Sequence, residues 1–183
     1  MESKYKLRIK NSQINIKKDK RFLLSFPHKH LLGCSIEETE DESIFIFDLS
    51  EQSKFSEALD LKLKDKYRLL YNVAELNTIS DRYIVDISPD NLVYDVNLIP
   101  SLLFRDKTRA NEEDRFLPRY KALVAYVLKP NLGFEDYYVG GDEFYIKHKE
   151  LKQLAGIEST KDLRAWLLSM YKSREEYINT KTK

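Results

Sequence analysis

The chain contains little cysteine and has no long apolar segment, and both shortages restrict what it can be. Cys34 is the only cysteine among 183 residues, so the chain can form neither an internal disulfide nor a thiolate cluster for structural zinc. The longest uninterrupted apolar run, residues 122–128, is far shorter than the roughly 20 residues of a membrane helix. Lys and Arg total 31 and Asp and Glu total 30, so no overall field attracts nucleic acid. These features predict a soluble cytosolic domain that does not bind nucleic acid.

Glycine is scarce as well, and its placement excludes a class of site. A phosphate-binding loop needs several glycines close together, so that the backbone can approach the phosphates. The five glycines of this chain are instead scattered, at Gly33, Gly133, Gly140, Gly141 and Gly156. The chain also lacks a Gly-x-Ser-x-Gly nucleophile motif, and Cys34 is interpreted as a small core residue.

The first 52 residues are predicted to form a small β-rich lobe. Tyr5, Leu7 and Ile9 alternate with charged residues, and residues 44–47 form a second strand-like run. Residues 1–21 carry eight Lys or Arg and two acids, whereas residues 37–51 carry seven acids and neither Lys nor Arg. We therefore expect the basic segment to lie against the acidic one, with its lysines on an exposed strand face.

Residues 53–183 are predicted to form a mainly helical lobe of the same domain. Apolar residues at intervals of three and four predict one helix from about Ser53 to Leu76. Short strand-like runs follow at residues 83–87, 92–96 and 98–104. Further helices are predicted over residues 117–128, 134–139 and 148–155, and a last one is capped by Ser159. The fold class predicted from this order is α+β.

One segment carries a chemical signature. Residues 86–93 match the catalytic-loop pattern H-R-D-L-x-x-x-N of protein kinases from its aspartate onward. Asp86 occupies the position of the aspartate that orients the substrate hydroxyl, and Asn91 that of the asparagine that holds a magnesium ion.

The other parts of a kinase are missing. Ile84 and Val85 replace the His and Arg of the loop, and Leu103-Phe104-Arg105 stands where the metal-binding D-F-G element is expected. Phosphoryl transfer depends on positioning and on charge neutralisation by lysine and metal ions, which one Asp and one Asn cannot supply. We predict no catalytic residues and no cofactor, with Asp86 and Asn91 bonded to the turn backbone; residual catalysis is the alternative.

Metal binding has little support. His28 and His30 share one side of a strand if that stretch is extended, and His148 is isolated, so a site would need a carboxylate partner from elsewhere. No metal site is predicted.

Several phrases resemble the EssB/YukC family of type VII secretion systems. They are F-L-P-R-Y-K-A-L-V at residues 116–124, F-E-D-Y-Y-V-G-G at residues 134–141, and the segment around Ser88-Pro89-Asp90-Asn91-Leu92. The family carries R-Y-K-A-L, F-x-x-x-x-x-G and a preceding Pro-containing segment in the same order. The resemblance spans about residues 80–171, and residues 1–55 match less well.

This resemblance implies a cytosolic domain with a protein-kinase-like (pseudokinase) fold, in which residues 1–52 are a reduced N-lobe and residues 53–183 the helical C-lobe. It implies a non-catalytic scaffold at the cytoplasmic face of the bacterial membrane, in a protein that continues into a transmembrane helix and forms a homodimer. The implied partners are other secretion components, among them the FtsK/SpoIIIE-type ATPase and the ubiquitin-like small subunit. A nucleotide-sensing or residual kinase-like enzyme is the alternative.

Three aromatic residues are candidates for a partner-binding surface. Aromatic side chains are enriched at binding hot spots, which singles out Tyr137, Tyr138 and Trp166. At helical spacing such residues are also common in cores, so burial decides between the two interpretations.

Overall fold

The structure, a computed structural model, describes residues 3–13, 29–80, 86–104 and 116–182. The predicted strand at residues 83–87 falls mostly outside these ranges, as do His28 and Arg105. Within the described ranges, strands and helices form a mixed α/β architecture with two small antiparallel sheets. The strands are β1 (Lys4–Lys10), β2 (Cys34–Glu38), β3 (Glu42–Asp48), β4 (Ser53–Lys54), β5 (Leu92–Tyr94) and β6 (Pro100–Leu102). The α-helices are α1 (Leu63–Val73), α2 (Asn77–Ser80), α3 (Phe116–Leu128), α4 (Phe134–Gly140), α5 (Asp142–Tyr145) and α6 (Thr160–Lys181).

The first sheet has the strand order β1-β3-β2. The apolar residues of β1 alternate as the sequence predicts, and Leu7 lies opposite Phe45 of β3. Basic β1 also lies beside acidic β3: Lys4 is opposite Asp48, and an Arg8 guanidinium nitrogen is 2.5 Å from a Glu42 carboxylate oxygen. The charges of the two segments therefore offset each other within the sheet.

The second sheet has the order β4-β5-β6, and its formation corrects one prediction. Residues 53–76 are not one helix, because Ser53 and Lys54 pair with β5 and the chain is extended again at Leu61 and Lys62. A 3-10 helix, Phe55–Asp60, lies between these breaks, and another, Ala74–Leu76, follows α1. Local spacing of apolar residues cannot reveal the break, since strand pairing joins residues about 40 positions apart.

Two of the remaining helices begin or end at the residues that the sequence predicts, and a third is shorter than predicted. Helix α3 stops at Leu128, two residues before Pro130, because proline cannot continue a helix. Helix α6 starts where the Ser159 hydroxyl accepts a hydrogen bond from the Asp162 backbone N–H at 3.0 Å. The predicted helix over residues 148–155 is reduced to a 3-10 segment, Lys152–Gly156, that buries Leu154. Within the described ranges, none of the helices combines the length and the apolar character needed to cross a bilayer.

Two hydrophobic clusters hold the elements together. The larger one joins the helices to the second sheet, and the Tyr120 hydroxyl at its centre donates a hydrogen bond to the Leu70 carbonyl at 2.6 Å. The smaller one packs the first sheet, through Phe45 and Phe47, on Val93 and Leu103. The loop that contains Asp86 and Asn91 therefore lies next to the junction of the two sheets.

Candidate functional site

The Asp86–Asn91 loop is held by its own side chains. The Asp86 carboxylate accepts a hydrogen bond from the Ser88 backbone N–H at 3.1 Å, and Pro89–Asn91 form a 3-10 turn that leads into β5. Proline at the first position of this turn is preorganised for it. The geometry is an Asx turn, in which the aspartate side-chain oxygen accepts the hydrogen bond that a backbone carbonyl accepts in an ordinary turn.

Asn91 is almost fully buried and is bonded to the backbone on two sides. Its amide nitrogen donates to the Asp86 carbonyl at 2.9 Å and to the Phe104 carbonyl at 2.8 Å. Its amide oxygen accepts from the Phe104 N–H at 2.8 Å, and the exposed fraction of the residue is 9%. Both amide protons are therefore used, and the oxygen that would meet a metal ion in a kinase already has a backbone donor.

Phe104 belongs to the segment that the sequence pattern aligns with the D-F-G element of kinases. Asn91 joins this segment to the loop before β5, and the Leu103 N–H also donates to the Asn91 carbonyl at 3.0 Å. The loop before β5 and the segment after β6 are thus bonded directly to each other. Among the described residues, no group of three or more His, Cys, Asp or Glu side chains is placed to hold a metal ion.

Arg119 connects the loop to the helices. A guanidinium nitrogen lies 3.3 Å from the Asp86 carboxylate, and the guanidinium stacks over the Tyr138 ring at 4.8 Å. The Tyr138 ring is in turn stacked on Phe134, with 6.3 Å between ring centroids. Sequence reasoning placed Arg119 in a family phrase but assigned it no contact, because its partners lie 33 and 19 positions away.

The candidate partner-binding aromatics have different surroundings. The Tyr137 side chain is fully buried and its hydroxyl donates to the Lys129 carbonyl at 2.5 Å, which favours the core interpretation for this residue. Tyr138 is half-buried, with Arg119 against its ring. Trp166 is also half-buried, and its indole N–H donates to the Gln153 side chain. Tyr138 and Trp166 stay candidates with part of their surface exposed.

A small cleft of about 220 Å³ lies beside the loop, where the first sheet meets the second. Ligand pockets for drug-sized molecules usually have about 300–1,000 Å³, so this cleft is small for a nucleotide. Its charged lining residues are one acid, Asp90, and one base, Lys54, so the cleft offers a triphosphate no excess of positive charge. The cleft is lined by Tyr5, Leu49, Lys54, Ser56, Pro89, Asp90, Leu92, Val93 and Leu103.

A second polar cluster, around His30 and Glu75, was not predicted as a unit. His30 is buried, and its two ring nitrogens lie 2.8 Å from the Pro100 carbonyl and 2.8 Å from the Glu75 carboxylate. Lys29 and Arg164 approach the same carboxylate at 2.9 and 3.5 Å. Hydrogen bonds from Lys29 and His30 hold the pKa of Glu75 below its ordinary value. Through its two ring nitrogens, His30 joins the segment before β2 to β6 and to the 3-10 helix Ala74–Leu76 that follows α1.

Comparison with known proteins identifies relatives of the whole chain. The family described as "WXG100 protein secretion system (Wss), protein YukC" matches residues 9–182. No curated protein sequence matches the chain.

Two solved structures share the fold. A cytoplasmic fragment of EssB from Staphylococcus aureus has a TM-score of 0.75 at 21% identity, covering 91% of this chain and 99% of the fragment. A cytoplasmic fragment of EssB from Geobacillus thermodenitrificans has a TM-score of 0.78 at 19% identity, covering 98% of this chain and 89% of the fragment.

Proposed function

This chain belongs to the YukC family of the WXG100 protein secretion system, and we propose that it is a non-catalytic scaffold that binds other components of that system. Membership of the family gives the chain a role in protein secretion. The observation that supports a non-catalytic role is the state of Asn91, since its side chain is bonded to backbone groups of Asp86 and Phe104. A kinase instead uses the side-chain oxygen of this asparagine to hold a metal ion, and in Asn91 that oxygen accepts a hydrogen bond from the Phe104 N–H.

We propose that the fold is a reduced protein-kinase-like one, with residues 1–52 as the N-lobe and residues 53–183 as the C-lobe. Two features support this assignment: the small antiparallel sheet precedes a mainly helical region, and the Asp86–Asn91 loop leads into a hairpin of β5 and β6. The two hydrophobic clusters support the division, because one centres on the first sheet and the other on the helices.

The proposed location is the cytoplasmic face of the bacterial membrane, in a protein that continues into a transmembrane helix and forms a homodimer. Both solved relatives are described as cytoplasmic fragments, which supports this location. The proposed partners are the FtsK/SpoIIIE-type ATPase and the ubiquitin-like small subunit. A membrane helix would raise the effective concentration of the attached domains, so the isolated domain is expected to be monomeric or weakly dimeric.

Light-scattering masses test the scaffold proposal. The isolated domain and the detergent-solubilised full-length protein are measured separately, and the ATPase is then titrated into each. We expect a stable dimer for the full-length protein and a further increase in mass when the ATPase is added. A full-length protein that stays monomeric and captures no secretion component contradicts the proposal.

The enzyme alternative is tested by nucleotide binding, and we predict that ATP with magnesium does not stabilise the domain. A ligand present at 100 times its Kd would add about 2.7 kcal/mol to the free energy of unfolding, which a thermal melt detects readily. The melting temperature is measured with millimolar ATP and magnesium, and with ATP and EDTA as the control. A reproducible increase that requires magnesium would favour the nucleotide-sensing enzyme instead.

A further inference from the structure

The corner between α4 and α5 exposes two aliphatic side chains. Val139 near the end of α4 is 83% exposed, and Ile146 directly after α5 is 55% exposed. The opposite side of the same corner is deeply buried, through Phe134, Tyr137 and Tyr145. Single exposed aliphatic residues are common, but here two occur seven positions apart, at the ends of consecutive helices, which makes this corner a candidate contact surface.

Acidic residues accompany each aliphatic one at helical spacing. Glu135 and Asp136 precede Val139 by four and three positions, and Asp142 and Glu143 precede Ile146 by the same intervals. Residues three and four apart share one face of a helix, and Ile146 keeps a helical backbone conformation. Each short helix therefore presents one aliphatic side chain next to a pair of carboxylates.

The acidic character of the corner is only partly offset. Residues 134–146 contain four acids and neither Lys nor Arg. Lys121 of α3 approaches the Asp142 carboxylate at 3.2 Å, and the ammonium group of Lys147 lies 5.0 Å from the centre of the Phe144 ring. Acids thus outnumber these two bases around Val139 and Ile146.

The corner is tightly packed. A Cβ atom on Gly140 would lie 2.5 Å from the Phe144 ring, and Gly141 has φ of +56°, a conformation that other residues rarely adopt. The Tyr145 hydroxyl donates to the Tyr137 carbonyl at 3.3 Å and so fixes α5 against α4. A tightly packed surface has little conformational entropy to lose when a partner binds.

We propose that this corner is the docking surface for a basic amphipathic segment of a partner protein, one in which aliphatic side chains are flanked by Lys or Arg. This inference rests on the proposed scaffold function and adds the chemistry of the partner. Charge complementarity identifies the occupant, because carboxylates beside exposed aliphatic groups attract cationic side chains and repel an anionic membrane surface.

Site-specific photo-crosslinking in the full-length protein tests the proposal in cells that carry the secretion system. A photoreactive residue replaces Val139, and in the control it replaces Val96, which is 92% exposed in the β5–β6 turn. We expect Val139 to crosslink to one protein segment rich in Lys or Arg and aliphatic residues, and Val96 not to do so. Crosslinks from Val139 to an acidic segment, to lipid or to a second copy of this chain would overturn the proposal, as would identical products at both positions.

Charge reversal provides the second measurement. The double variant Glu135→Lys and Glu143→Lys is compared with Glu158→Lys and Glu176→Lys, which makes the same change in net charge at exposed positions elsewhere. We expect the corner variant to lower the crosslinking yield at Val139 about fivefold and the control variant to leave it unchanged. Thermal melts establish that both variants are folded. Equal yields would overturn the docking surface, whereas the scaffold function itself fails only if the unaltered protein captures no secretion component.

Discussion

Replacing Asn91 with alanine is expected to lower the free energy of unfolding by about 2–4 kcal/mol, because three side-chain hydrogen bonds are lost in a nearly buried position. The Phe104 N–H and the carbonyls of Asp86 and Phe104 would lose their partners. Equilibrium unfolding in urea measures the change. The matched control is Asp90→Ala on the neighbouring exposed residue, which should change stability by less than about 0.5 kcal/mol.

The variant Asn91→Asp separates a structural role from a metal-binding one. An aspartate can still bind magnesium, so a metal-binding role would tolerate it. In the structure, a carboxylate oxygen would replace the amide nitrogen that donates to the carbonyls of Asp86 and Phe104, and it has no proton to donate. We therefore expect Asn91→Asp to destabilise the fold about as much as Asn91→Ala does. A variant that is as stable as the unaltered protein and gains stability with magnesium would contradict this account of the loop.

The second large effect is expected at His30, where substitution by alanine should cost about 2–4 kcal/mol. The ring nitrogens of this buried side chain lie 2.8 Å from the Pro100 carbonyl and 2.8 Å from the Glu75 carboxylate, so the change leaves a cavity and removes both contacts. Urea unfolding measures the loss, and His148→Ala, at a half-buried position, serves as the control with a smaller expected loss. Equal losses of stability for the two variants would show that the contacts of His30 with Pro100 and Glu75 do not stabilise the fold in solution.

The pH dependence of Glu75→Gln provides an independent readout of the same cluster. The pKa of Glu75 is depressed by Lys29 and His30, so its ionised form stabilises the fold above its ordinary value of 4.5, and that contribution is lost as the pH falls below it. The difference in unfolding free energy between Glu75→Gln and the unaltered protein should therefore be largest near neutral pH and decrease in acid. Glu176→Gln, an exposed substitution of the same type, should show no such trend.

The sequence by itself determined features that depend on neighbouring residues. Alternation of Tyr5, Leu7 and Ile9 located β1, and the Ser159 cap located the start of α6, because these signals act within a few positions. The opposite charges of residues 1–21 and 37–51 also predicted that basic β1 lies beside acidic β3. The phrases around Arg119 and Gly140 indicated the family that the match over residues 9–182 then showed.

The tertiary structure alone decided which of these residues meet. Ser53 is not helical because it pairs with Tyr94 of β5, and Tyr137 is a core residue because α4 packs on α3 within the larger hydrophobic cluster. Asn91 reaches Phe104 across 13 positions, and His30 reaches Pro100 across 70. Contacts at such separations depend on how whole elements pack, and local periodicity carries no information on that packing. For this reason the sequence could predict that Asp86 and Asn91 bond to the backbone of their own turn, while only the fold showed that Asn91 also bonds Phe104 and that Asp86 lies beside Arg119.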